Sequence, residues 1–147
     1  MSASPIRITI QIEPLPKARA RTVVRNGMVR TYTPATTITY ESSLKARFYK
    51  HIEQAFPAHI PLRLFVTFYR VKSRYLPKKE LMPFRKCDLD NLVKSITDAM
   101  NGILMPDDAQ ITTLVARKRW ANNDNGYITL KLEEDKLQGD NDVNSNL

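Results

Sequence analysis

Five aspartates fall between residues 88 and 108 of a 147-residue chain whose formal net charge is +8. They are Asp88, Asp90, Asp98, Asp107 and Asp108. Asp88 and Asp90 are two apart, and in extended chain such side chains point the same way. Two carboxylates at ~4 Å repel by about 4 kcal/mol at an effective dielectric near 20. The pair therefore needs a counterion, either a divalent cation or neighbouring Lys and Arg. Carboxylate oxygens without a His or Cys cluster suit Mg2+, with Mn2+ as a possible substitute. Beside a basic surface, this donor set points to metal-assisted attack of water on a phosphodiester. Lys94 would stabilise charge developing on the phosphate. The plainer alternative is structural: Asp88 and Asp90 as caps, Asp107-Asp108 as a turn, and Lys94 with Asp98 as a helix ion pair worth a few tenths of a kcal/mol.

The elements that must position these residues are readable from periodicity. A helix is predicted over 91–101, with Asp90 as its N-cap and Gly102 as its stop. Leu92, Ile96, Ala99, Met100 and Ile103 form its apolar side. Asp90, Lys94 and Asp98 stack on the opposite side at i, i+4 and i+8. Such a helix is about 16 Å long. For Asp107 and Asp108 to join the first pair, the chain must fold back along the helix, or the sheet must set this turn beside it.

Residues 7–14 alternate as a half-buried strand does. Asn26-Gly27 between "VVR" and "MVR" predicts a hairpin with a type I′ turn. The hairpin and its approach carry Lys17, Arg19, Arg21, Arg25 and Arg30 with no acid. That ribbon could lie along a phosphate backbone or simply be solvated. Residues 35–55, bounded by Pro34 and Pro57, read as a helix that buries Ile38, Leu44, Phe48, Ile52 and Ala55. Residues 62–71 form a strand, and 72–87 a basic loop. Residues 111–120 and 127–134 read as two strands of one hairpin about the turn 122–126. Trp120 and Tyr127 flank that turn and suit packing better than base stacking.

The expected architecture is a single α+β domain over 1–137. Its small mixed or antiparallel sheet has two main helices packed on one face. Residues 138–147 have the composition of a disordered tail. No apolar run approaches the roughly 20 residues needed to span a bilayer. The N-terminal residues lack the pattern of a secretory signal. The single cysteine, Cys87, fits a reducing, cytoplasmic setting and a half-buried position better than a nucleophile. An excess of 23 Lys and Arg over 15 Asp and Glu points to a polyanionic partner, most often nucleic acid. A haloacid-dehalogenase-like phosphatase would carry its D-x-D after the first strand of a long parallel sheet, whereas here it lies past the middle of a short chain.

The run "CDLDNLVKSITDAMNG", followed by "DDAQI", resembles the RusA family of Holliday junction resolvases, small endonucleases of bacteria and their phages. The family pattern is approximately D-x-D-N-x-x-K-x-x-x-D-A-(L/M)-N-G, then D-D-x-Q-(I/V). Asp88, Asp90, Asn91, Lys94, Asp98, Asp107, Asp108 and Gln110 match it in order. The resemblance implies a homodimer that binds a four-way DNA junction and makes paired symmetric nicks using Mg2+. It implies that Asp88, Asp90 and Asp108 hold metal and that Lys94 is the catalytic lysine. Asp107 and Asp98 are implied as secondary contributors. Arg85 and Lys86 are implied as phosphate contacts, and "PKARART" resembles the family's basic N-terminal segment. A non-catalytic DNA-binding protein of phage or prophage origin is the alternative.

Overall fold

A computed structural model describes residues 3–17 and 20–137. The expected disordered tail, 138–147, and Arg19 lie outside the described residues. The α+β expectation holds. Four strands form the main sheet in the order β1-β6-β4-β5: β1 (Ile6–Ile10), β4 (Leu62–Arg70), β5 (Ile111–Trp120) and β6 (Tyr127–Glu134). A separate ribbon pairs β2 (Arg21–Arg25) with β3 (Met28–Tyr32). The helices are α1 (Ala35–Tyr49) and α2 (Leu89–Met100).

Alternation drives the sheet. Ile6, Ile8 and Ile10 of β1 are buried, as are Leu62, Leu64, Val66 and Phe68 of β4, and Ile128, Leu130 and Leu132 of β6. They meet Tyr40, Leu44 and Phe48 of α1 and Leu92, Ile96, Ala99 and Met100 of α2 in one cluster. Truncating a fully buried member such as Ile96 to alanine costs about 2–5 kcal/mol. Among the described residues, no helix is long and apolar enough to cross a membrane.

Three expectations need correction. β5 and β6 do not form a hairpin: β4 lies between them, parallel to β5 and antiparallel to β6. Pairing with both β1 and β4 makes β6 an interior strand, whereas β5 is a half-buried edge. The connection 121–126 steps over the end of β4, where the Ala121 N–H donates to the Arg70 carbonyl at 2.7 Å. The predicted helix 35–55 stops at Tyr49 and resumes as a 3-10 turn at Ile52–Gln54. It ends early because Phe56 turns inward, buried, with its N–H donating to the Leu104 carbonyl at 2.8 Å. The buried face of α1 is Thr37, Tyr40, Leu44 and Phe48, which leaves Ile38 and Ile52 exposed. Finally, Asp88 and not Asp90 occupies the N-cap position of α2.

The hairpin prediction for residues 21–32 is correct. Asn26 and Gly27 both have positive φ, at 50° and 75°, as a type I′ turn requires. Every residue of β2 and β3 is exposed, so the ribbon stands off the body.

Candidate active site

α2 is the element on which the site is built. Its first residues follow a loop whose carbonyls are fastened from the sheet. Lys118 of β5 donates to the Cys87 carbonyl at 2.7 Å and to the Arg85 carbonyl at 3.2 Å. Arg70 of β4 donates to the Lys86 carbonyl. These ties fix the approach to Asp88 while leaving both carboxylates outward. Asp88 and Asp90 are exposed, and the Asp88 side chain accepts no capping hydrogen bond despite its N-cap position. Both sit at the positive end of the helix dipole, which favours anionic groups.

Lys94 follows Asp90 by one turn on the same exposed stripe. Its ammonium lies 3.5 Å from Asp98, and Lys17 lies 3.4 Å from the other oxygen of Asp98. Lys17 also pairs with Glu41 of α1. That hydrogen bond to Glu41 raises the Lys17 pKa above its usual value, burial opposes it, and Asp98 adds to it. The Lys17 N–H donates to the Asn91 carbonyl at 3.1 Å, and Ser95 Oγ donates to the Leu15 carbonyl at 3.3 Å. Residues 15–17 are thereby laid along α2. Lys17, read from the sequence as a DNA contact, is engaged here in joining α1 to α2.

Asp107 and Asp108 sit at the opposite end of α2. The chain neither folds back along the helix nor brings this turn beside Asp88. The Asp108 N–H donates to Asn101 Oδ1 at 3.1 Å, and Asn101 caps the C-terminus of α2. Twelve residues of helix, about 18 Å, separate the two groups. β5 then runs back toward the N-terminal end, which it reaches at Lys118. Among the described residues, no group of three or more His, Cys, Asp or Glu is close enough to hold a metal ion. The Asp107 carboxylate is occupied, accepting from the Ala109 N–H at 2.9 Å in a capping box closed by Gln110. Gln110 Nε2 donates to the carbonyls of Pro57 at 2.9 Å and Ile60 at 3.1 Å.

The remaining candidates are dispersed. Lys86 is exposed next to Cys87. Arg85 bonds Glu80 with Nε at 3.2 Å from Oε2. Arg21 is exposed on the ribbon. Trp120 donates to the Glu80 carbonyl at 3.0 Å, and Tyr127 stacks on Tyr69 with centroids 4.2 Å apart, so both pack.

Sequence reasoning missed Arg70, Lys118, Asn101 and the anchoring role of Gln110. Only Gln110 carried a local signal, since an acid followed three residues later by Gln is the form of a capping box. Arg70 and Lys118 act across the sheet, at separations no spacing rule reaches.

A small α+β domain with an acidic helix start on a basic surface is the class of molecule these features define. Residues 11–132 match the family described as Endodeoxyribonuclease RusA, and the chain belongs to that family. It is therefore a member of a nuclease family whose proteins bind branched DNA junctions and generally depend on divalent metal. The chain is also similar to the uncharacterized protein YqaN of Bacillus subtilis (strain 168). The two are 28% identical over 122 residues, covering 77% of this chain and 86% of the relative.

Proposed function

We propose that the protein is a Mg2+-dependent, structure-selective endodeoxyribonuclease of the cytoplasm. In this reading it resolves four-way DNA junctions as a homodimer by paired symmetric nicks, in recombination and repair. The observation that carries the reading is the exposed Asp88–Asp90 pair, one helical turn from Lys94, on a chain of net charge +8. Mg2+ commonly takes one or two carboxylates, keeps waters and accepts phosphate oxygens. The donors at the start of α2 fit that habit. A divalent cation held by Asp88 and Asp90 would supply Lewis acidity and a more acidic water. Lys94 neutralises charge developing on the phosphate, while Arg85 and Lys86 hold the neighbouring backbone.

Asp108 belongs to the same site in this reading, contributed by a second copy. β5 is an open sheet edge with half-exposed Leu114 near its middle. A partner aligned antiparallel along that edge would set its Asp108 beside the Lys118–Trp120 end of the first copy. That end adjoins the loop into Asp88. The two-fold axis would then match that of a four-way junction and present the same site twice.

The test is to incubate the chain with a four-way junction and with a linear duplex, in Mg2+ and in chelator. Paired nicks in the junction, lost in chelator, are expected. Binding without cutting under all conditions would overturn the nuclease reading in favour of a non-catalytic junction binder.

A further inference from the structure

The helices cover one face of the main sheet, and among the described elements nothing packs over the other. Strand register assigns the side chains there to rows. One row is Arg7, Lys131, Phe65 and Val115, and the next is Thr9, Thr129, Thr67 and Arg117. A third begins with Tyr127 and Tyr69 and ends with Arg119. A shallow depression of about 300 Å³ is lined by Arg7, Thr9, Phe65, Thr67, Thr129 and Lys131, among others.

The charge of this face is one-sided. Five cations, Arg7, Arg63, Arg117, Arg119 and Lys131, share it with two carboxylates, Glu133 and Asp135, leaving a balance of +3. Glu133 is taken up by Arg63 at 3.1 Å and Lys131 at 3.3 Å. Asp135 is held by Thr112 at 2.7 Å and Thr113 at 2.6 Å. Arg7 and Arg117 are exposed on the two outer strands.

The occupant follows from this chemistry. A second copy is disfavoured, because two such faces repel. Base stacking is disfavoured because the rings are already engaged. The Arg63 guanidinium is 5.7 Å and the Lys131 ammonium 5.2 Å from the Phe65 centroid, and Tyr69 is stacked on Tyr127. What remains on offer is cations and hydroxyls, the groups that bind phosphate oxygens without reading sequence. Arg7 and Arg117 are three strand spacings apart across the sheet and one row apart along it, roughly 16 Å between their backbones, a span that their long side chains bring within reach of phosphates on the two sides of a ~12 Å major groove. The three threonine hydroxyls lie in the row that Arg117 ends.

The geometry points to a second nucleic-acid surface: the uncovered sheet face binds the phosphate backbones of duplex DNA across a groove. It lies on the reverse of the sheet from α2, so this duplex is a segment other than the one at Asp88 and Asp90. The inference stands apart from the nuclease reading, because binding in chelator requires no chemistry.

The test measures affinity for a linear duplex in chelator at several salt concentrations. The native chain is compared with Arg7→Gln/Arg117→Gln, with Arg117→Gln alone, and with Lys45→Gln on exposed α1 as the surface-charge control. Each lost phosphate contact lowers the salt slope by about 0.9. The double variant is expected to lose about 1.8 from the slope and the single variant about 0.9, with Lys45→Gln close to native. An unchanged slope in the double variant would overturn the proposal. So would a slope change seen with a single strand and not with the duplex. A changed oligomeric state of the double variant would also overturn it, by making this face a contact between copies. Junction cutting by the native chain reports on the nuclease reading separately.

Discussion

At the N-terminal end of α2, Asp88 holds the cap position and yet its carboxylate makes no cap. At the C-terminal end, the Asp107 carboxylate is used up in a capping box, and Asn101 ties down the backbone of Asp108. The same residue type thus serves exposure at one end and closure at the other. What differs is who supplies the order. The Asp88 end is held from outside, by Lys118 and Arg70 gripping the carbonyls of residues 85–87. The Asp107 end is held by its own side chains. In the proposed reading those exposed acids are kept for a ligand, and the ordering of the loop before them falls to cations from the sheet.

The largest effect is expected at the exposed end. Asp90→Asn should lower junction cutting by about 100-fold or more, the scale of losing a transition-state electrostatic contact. Junction binding in chelator should persist, as a gel shift would read. A variant cutting at the native rate would break the contrast between the two ends.

The next effect concerns how the ends meet. If Asp108 completes the site of a partner copy, Asp90→Asn and Asp108→Asn chains should each be inactive alone. Refolded together, they should form heterodimers with one intact site and one doubly altered site. Such a mixture should nick one strand without producing paired nicks. Failure of the mixture to nick at all would place all three carboxylates in one chain's site, and native-rate cutting by Asp108→Asn alone would remove Asp108 from it. Leu114→Arg, at the β5 edge, should give a monomer by sizing and lose cutting with it.

Much of this was legible in the residues and some was not. The helix carrying Asp90, Lys94 and Asp98 was readable because its apolar positions recur on one face at a 3.6-residue period, and Leu92, Ile96, Ala99 and Met100 of that stripe are buried as expected. The type I′ ribbon was readable because Asn-Gly admits few other conformations. The strand order was not. The alternation of residues 127–134 is equally that of a hairpin partner and of an interior strand, and only the crossover through α2 decides between them. The helix start slipped by two residues because Asp88 and Asp90 are equally good caps by type. The separation of Asp108 from Asp90 depends on where the turn after Gly102 goes, and no local pattern encodes that. Asn101 decides it through a side chain bonded to a residue seven positions on.

A smaller effect is expected at the closed end. Asp107→Ala removes the cap on the turn into β5 and should cost about 1 kcal/mol of stability, read by chemical denaturation. Cutting should fall far less than in Asp90→Asn, because Asp107 acts through the placement of its neighbour. Equal losses of cutting in the two variants would mean that Asp107 touches the ligand after all.

The smallest effect is a pH signature of a second carboxylate used for structure. Hydrogen bonds from Thr113, then Thr112, hold the Asp135 carboxyl below the usual aspartate range; burial opposes this, and Arg63 adds to it. A depressed folded value means that the stabilisation is fully present above the unfolded value of about 3.9. It is lost as pH falls through the lower folded value. Native chain and Asp135→Asn should therefore differ in melting temperature at pH 7, with the gap closing below about pH 4. A gap that stays constant with pH would show that the hydroxyls bind Asp135 by shape and not by charge. It would also weaken the rule drawn from the two ends of α2, that a carboxylate satisfied by its neighbours is one spent on the fold.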